Sequence, residues 1–360
     1  MKRYSEKKVA GFSLLELMIS LALSLIIMAS TVRLFKSGVE ASTFISQRTE
    51  LQQNARAAIN LISKDVSMAG AGIPPGGIQL ASGGTATPSR YGCDQAGTCY
   101  VLNHQYPTGN YFYGIIPGPN NGVQNGAVIP ATGGSADSIT VAYVDYGFPL
   151  FQYQCRVTSA TTIGLTPPVP APVPALPAPN APGVGLQLGD LVMVSSNVGT
   201  VITEVTLPSA ASVTLGNPDA LNLNETGGAI GNLGYINSTN PGNVVCTAYR
   251  VFVVTYYIQV PGGVQAPRLM RQVNGLTPVP VADNIIAMTI SYDLFNDTTG
   301  LNNAEQRDPL SIAGVTPNQI RKVNIAVTAQ SLGQDGTKSQ STQLATSISA
   351  RNMSFRNRYQ

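Results

Sequence analysis

The sequence predicts an α+β protein in which a long N-terminal helix, transmembrane over its first half, packs on an antiparallel, β-rich globular head. Three observations carry that expectation. The apolar run "FSLLELMISLALSLIIMASTV" (12–32) is long enough to cross a bilayer as a helix. From Leu51 to Val66 apolar residues recur at helical spacing. Beyond Pro75 that period gives way to short alternating runs separated by Gly, Pro and Asn clusters, the pattern of half-buried antiparallel strands.

The composition agrees. A chain of 360 residues has room for one large domain or two modest ones. Only 11% of residues are charged and the net charge is +3, too sparse for an electrostatic nucleic-acid surface, so nucleic acid is not expected as a partner. The 36 glycines and 25 prolines suit a loop-heavy domain outside the cytoplasm better than a helical enzyme.

The leader "MKRYSEKKVAG" (1–11) sets Lys2, Arg3, Lys7 and Lys8 against the single acid Glu6. Basic charge ahead of an apolar run holds that end in the cytoplasm, which predicts a single pass through the cytoplasmic (inner) membrane with the head outside. A secretory signal carries its small cleavage-site residues after the apolar run. Here Ala10 and Gly11 precede it. Cutting after Gly11 removes the leader and leaves the apolar segment on a mature chain that begins at Phe12. An ordinary uncleaved anchor is the alternative.

Glu16 is the anomaly in this segment. An acid at the centre of a membrane helix costs about 2.5–3.5 kcal/mol, less nearer the interface, and it calls for a cationic partner. Processing would create one, because an α-amino group on Phe12 lies one helical turn from Glu16 on the same face. That amine neutralises Glu16 of its own chain or of a neighbour packed alongside.

These residues resemble a known family. "GFSLLELMISLALSLIIMAS" is similar to the class III signal of type IV prepilins and type II secretion pseudopilins. In that family a prepilin peptidase cuts after the glycine and N-methylates the new terminal phenylalanine, and the glutamate at the fifth mature position docks subunits. The resemblance implies processing at Gly11 and Phe12 and an assembly role for Glu16. The partners it implies are prepilin peptidase, other minor and major pilins, the pilus assembly platform and the cytoplasmic membrane. Residence in the membrane would then be followed by residence in an extracellular pilus.

The predicted boundaries follow. Residues 12–35 form the transmembrane and assembly helix. Residues 36–70 continue it amphipathically, with Leu51, Ala55, Ala58, Ile59, Ile62 and Val66 on one face, until Gly70, Gly72, Pro74 and Pro75 stop it. Such a helix would be roughly 85 Å long at 1.5 Å per residue. Residues 71–360 form the head. Its clearest strands are "DSITVAYVDYG", "DLVMVSS", "TVITEVTL", "AYRVFVVTYYIQV", "PRLMRQV", "NIIAMTISYDLF" and "IRKVNIAVTAQ". "PPVPAPVPALPAPNAP" (167–182) reads as an exposed proline-rich insert within one head, because the strands on either side are too few for two sheets.

Parts of the chain also resemble large minor pilins of the PilW kind: an "R…D…MAG" helix end (Arg56, Asp65, Met68, Ala69, Gly70), "ADSITVAYVDYG", and the C-terminal strand block. The resemblance covers residues 1–72, 136–147 and 248–358, and the middle departs from it. It implies a pilin-like fold and a part in initiating pilus assembly at or near the tip, with effects on twitching motility and adhesion. A type II secretion pseudopilin, or a tip adhesin or DNA-binding subunit, is the alternative.

Cys93, Cys99, Cys155 and Cys246 form an even set in an exported chain, which allows two disulfides in three connectivities. The expected pairing is Cys93 with Cys99 across the short loop "CDQAGTC", and Cys155 with Cys246. No catalytic residue, cofactor or metal site is predicted. The one histidine, His104, sits in a loop-like context without a nucleophile motif. "GQDGTKS" lacks the phosphate-loop order. The polar loop from Asn296 to Asp308 lacks calcium-loop spacing and reads as a solvated turn. Arg351, Arg356 and Arg358 are read as solvated arginines on a closing edge strand.

Overall fold

A computed structural model describes residues 11, 13–81, 111–120, 123–124, 136–225, 230–260, 266–296, 301–331 and 339–353. The chain divides into two compact units, Met1–Glu50 and Leu51–Gln360, and helix α1 (Leu14–Met68) contributes to both. The fold is α+β, a long apolar N-terminal helix followed by an antiparallel, β-rich head.

In the first unit, α1 reaches a mean hydropathy of 2.1 over an 18-residue window, none of it buried by protein. Leu17, Leu21, Leu25 and Met28 all stand exposed, as lipid-facing side chains do. The hydroxyls within this run are satisfied inside the helix. Ser24 Oγ donates to the Ser20 carbonyl at 2.7 Å, Ser30 Oγ to Ile26 at 2.9 Å and Thr31 Oγ1 to Ile27 at 2.7 Å. Back-bonding removes the desolvation cost that a free hydroxyl would carry in hydrocarbon.

The second unit carries the strands. Before the proline-rich run lie β1 (Ile78–Gln79), β2 (Tyr111–Phe112), β3 (Ile115–Gly118), β4 (Val123–Gln124), β5 (Ser138–Asp145), β6 (Gln154–Ser159) and β7 (Thr162–Thr166). After it come β8 (Leu191–Ser195), β9 (Thr200–Glu204), β10 (Leu207–Pro208), β11 (Ser212–Thr214) and a short helix, α2 (Leu233–Thr239). The remainder is β12 (Val244–Gln259), β13 (Arg268–Val273), β14 (Val279–Asp283), β15 (Ile285–Asn296), β16 (Leu301–Gln306), β17 (Ile320–Gln330) and β18 (Ser341–Ser349).

Among the described residues these make a 12-stranded sheet, the pair β1–β2, and a four-stranded sheet in the order β16-β15-β17-β18. Strand β12 is the hub of the large sheet. It is 16 residues long and pairs with β4, β5, β6, β8 and β13. Because β6 and β8 both join β12, the proline-rich run does not separate two sheets. Strand β5 is buried along nearly its whole length because both faces are covered. Ile139, Val141 and Tyr143 face the core under the helix, and Ala142 and Val144 face a second core with Leu191, Met193 and Ile202.

From Leu51 onward the helix has a buried stripe: Leu51, Ala55, Ala58, Ile62, Asp65 and Val66. The stripe packs against Val254 and Tyr256 of β12, Met288 and Ile290 of β15 and Val323 and Ile325 of β17. The helix stops at Gly70 (φ +77) and Gly72 (φ +74), left-handed positions that suit glycine. There the Gly70 N–H donates to the Ala142 carbonyl at 2.8 Å, and the Val144 N–H donates to that of Ala71 at 2.8 Å.

Two expectations need correction. The stretch 301–306 is not a turn; it is strand β16, which folds back on β15 with Asn302 opposite Phe295 and Asn303 opposite Leu294. The closing edge strand lies upstream of the arginines, at Ser341–Ser349, and Arg351 falls on a 3-10 turn after it. Helix α2 has no counterpart among the expected elements; Asn232 caps it by accepting from the Tyr235 N–H at 2.6 Å. Arg356, Arg358 and His104 lie outside the described residues, as does most of "GQDGTKS".

Candidate functional site

The N-terminal site rests on Gly11, Phe12 and Glu16. Gly11 is exposed, and nothing lies within 4 Å of where a β-carbon would stand. Phe12 lies outside the described residues, so its amine is not placed. Glu16 is in the first turn of α1 and exposed. Its backbone N–H donates to Ser13 Oγ at 3.4 Å, and the Leu17 N–H donates to the Ser13 carbonyl at 3.1 Å. Ser13 is thus the N-cap and Glu16 the third helical residue. "SLLE" therefore has the S-x-x-E form of a capping box. Spacing from the proposed cut did not expose this signal, although it was present in four consecutive residues. The positive end of the helix dipole favours a carboxylate there, which lowers the cost of keeping one at the membrane boundary. Among the described residues the Glu16 carboxylate has no partner of its own.

The second locus is the buried end of the same helix. Asp65, 3% exposed, accepts from Tyr143 Oη at 3.1 Å, Tyr256 Oη at 2.6 Å and Arg271 Nε at 2.9 Å. It joins one helix to three strands. Burial, reinforced by the Asp65 charge, pushes Tyr143 up to about 12 and raises Tyr256 further, so both stay neutral donors. Of the "R…D…MAG" arrangement, Asp65, Ala69 and Gly70 are buried, whereas Arg56 and Met68 are exposed. Gly70 is wedged: a β-carbon there would meet Met353 Sδ at 2.7 Å, and one on Gly114 would meet Gly70 Cα at 2.6 Å.

Cys155 and Cys246 are bonded, with Cα atoms 4.9 Å apart on directly paired positions of β6 and β12. Cys93 and Cys99 lie outside the described residues. Among the described residues no group of three or more His, Cys, Asp or Glu is placed to hold a metal ion. One carboxyl pair is perturbed. Burial pushes Glu204 up to about 7 and it hydrogen-bonds Asp219, while its Oε2 accepts from the Leu221 N–H at 2.8 Å. Asp219 accepts from the Leu223 and Asn224 N–H groups at 2.6 and 3.1 Å. The pair ties the end of β9 to the loop after β11.

The site thus joins a capped N-terminal helix, the one helix among the described residues apolar and long enough to span a membrane, to a disulfide-bearing β-rich head. Residues 7–32 match the family model of the prokaryotic N-terminal methylation motif. The motif supports a type IV pilin-like or pseudopilin-like protein, implies processing by prepilin peptidase, and fits anchoring in the inner membrane. No curated protein and no solved structure matches the chain.

Proposed function

We propose that this chain is a non-catalytic minor type IV pilin of the PilW kind, cut between Gly11 and Phe12, that helps initiate pilus assembly at or near the tip. The observation that carries the reading is Glu16: an acid in the first turn of a lipid-competent helix, exposed and without a partner among the described residues. In a bilayer that carboxylate gains most from a cation on an adjacent helix. The amine of a processed Phe12 on a neighbouring subunit supplies one, so docking relieves the charge and sets the stagger between subunits. The size of the head favours few copies near the tip over repetition along a slim filament.

The test is Glu16→Ala in the native host. Processing to a Phe12 terminus, read by mass spectrometry, and membrane insertion stay intact, while incorporation and pilus number fall. Normal incorporation, with unchanged pili and twitching on deletion of the gene, overturns the assembly role. Loss of protein secretion on deletion, with pili intact, moves the chain to a type II secretion pseudopilus, which the same motif supports.

A further inference from the structure

The face of the β8–β12 ladder that covers the second core opens into a groove at its Ser195–Thr247 end. Register places Thr247 opposite Ser195 and Tyr249 opposite Met193, so these residues share one face, buried at Met193 and open toward Ser195 and Thr247, while Cys246 and Ala248 point into the core on the opposite face. A cavity of about 550 Å3 opens over Ser195, Thr247, Asn197, Asn240 and Asn243. A second, of about 400 Å3, shares Ser195 and Thr247 and continues toward Tyr249 and Tyr146. Each lies within the roughly 300–1,000 Å3 of small-ligand sites.

Two features of the lining point to one ligand chemistry. The first is neutrality joined to unspent hydrogen bonding. No Asp, Glu, Lys or Arg lines either cavity among the described residues. Arg156 reaches the rim only to donate to Asn243 Oδ1. The side chains of Asn197, Thr239, Asn240 and Thr247 make no hydrogen bond within the described residues. Amides and hydroxyls both donate and accept, as ligand hydroxyls require. The second is an aromatic platform at the far end. Tyr146 (55% exposed), Phe151 (36% exposed) and Tyr249 form a cluster, with Phe151 and Tyr249 stacked at 6.0 Å and Tyr146 edge-on to both. Aromatic faces carry negative charge density and attract the C–H face of a sugar ring.

We infer that this groove binds a neutral oligosaccharide, its ring faces on Tyr146 and Tyr249 and its hydroxyls on Asn197, Asn240 and Thr247. An anionic glycan or a nucleic acid would find no counter-charge in the lining itself; the exposed Arg156 guanidinium at the rim is engaged by Asn243 Oδ1. The floor is pre-organised: the Cys155–Cys246 bridge and the Ser195–Thr200 hydroxyl contact at 3.0 Å hold it before any ligand arrives. The inference is independent of whether the chain enters a pilus or a pseudopilus.

The full chain is purified in lauryldimethylamine oxide, which has no sugar headgroup, and applied to immobilised neutral glucans, galactans and N-acetylglucosamine oligomers beside sialylated and sulfated ones. Retention is expected on at least one neutral series. It should fall about tenfold in Tyr249→Ala, the scale of 1.4 kcal/mol. Tyr249 also packs inward, so Asn197→Ala/Asn240→Ala is the second variant; both side chains are exposed and make no internal bond, and it should lose a similar factor with an unchanged melting temperature. Failure to retain any neutral series, retention of acidic series alone, or retention indifferent to the double variant overturns the inference. So does retention of a synthetic 167–182 peptide in place of every glycan, which would assign the groove to proline-rich polypeptide.

Discussion

Asp65 shows how one residue sets the mounting of the helix. Its carboxylate is the shared acceptor for two tyrosine hydroxyls and a guanidinium, so an amide in its place leaves one oxygen for three donors and sets an NH2 against the rest. Asp65→Asn is expected to destabilise the head by about 2–4 kcal/mol, below the full value for a buried pair because Arg271 keeps partial access to water. Chemical denaturation of the full chain in detergent reads this, and a change under 1 kcal/mol would make the cluster incidental. Gly114→Ala should cost about 1–3 kcal/mol by the same measurement, since the new methyl meets the Gly70 backbone at 2.6 Å, which cannot swing aside as the Met353 side chain beside it can. The Glu204 carboxyl makes a prediction about pH. Its folded pKa of about 7 lies above the ordinary 4.5, so the stabilisation it lends is complete below 4.5 and is lost as pH rises through about 7. Protection of the Leu221, Leu223 and Asn224 amides, corrected for intrinsic exchange, should fall over that window. Glu204→Gln, neutral throughout, should flatten the profile.

At the scale of elements, the helix and most long strands were legible because burial imposes a period. The stripe from Leu51 to Val66 and the alternation of β17 are direct prints of one covered face. Strands β6 and β7 were not anticipated, since "QCRVTS" and "TIGLT" are short and polar on one face and owe their pairing to β12 and β11. Strand β16 is almost wholly polar, and hairpin geometry with β15, not hydrophobicity, makes it a strand. In the candidate site Gly11 and Glu16 were readable from charge and spacing. The groove over β8 and β12 was not, because its residues come together only through strand register. The proline-rich run behaves as an insert with a pinned exit: Tyr153 Oη donates to the Pro177 carbonyl and Arg250 Nη1 to that of Val184 at 2.9 Å, while Val169 and Val173 are almost fully exposed. Deleting 168–174 should therefore change stability by less than about 1 kcal/mol in a thermal melt. A large loss would mean that the exposed half packs on something.

For the whole head, β12 and the disulfide supply continuity across the run. The bridge joins cysteines 91 residues apart in sequence. Reducing it should lower stability by about 2–4 kcal/mol, seen as a drop in melting temperature with dithiothreitol. The mounting of α1 has a mechanical consequence. Traction applied along the helix enters the head through Asp65 and through the Gly70–Ala142 and Ala71–Val144 backbone bonds, which lie side by side in the chain and share the load. Contacts strained together resist more than contacts unzipped in turn, so the joint should fail as one event in single-molecule pulling. Weakening Asp65 should lower that rupture force while leaving the unfolding of the distal strands around the disulfide untouched.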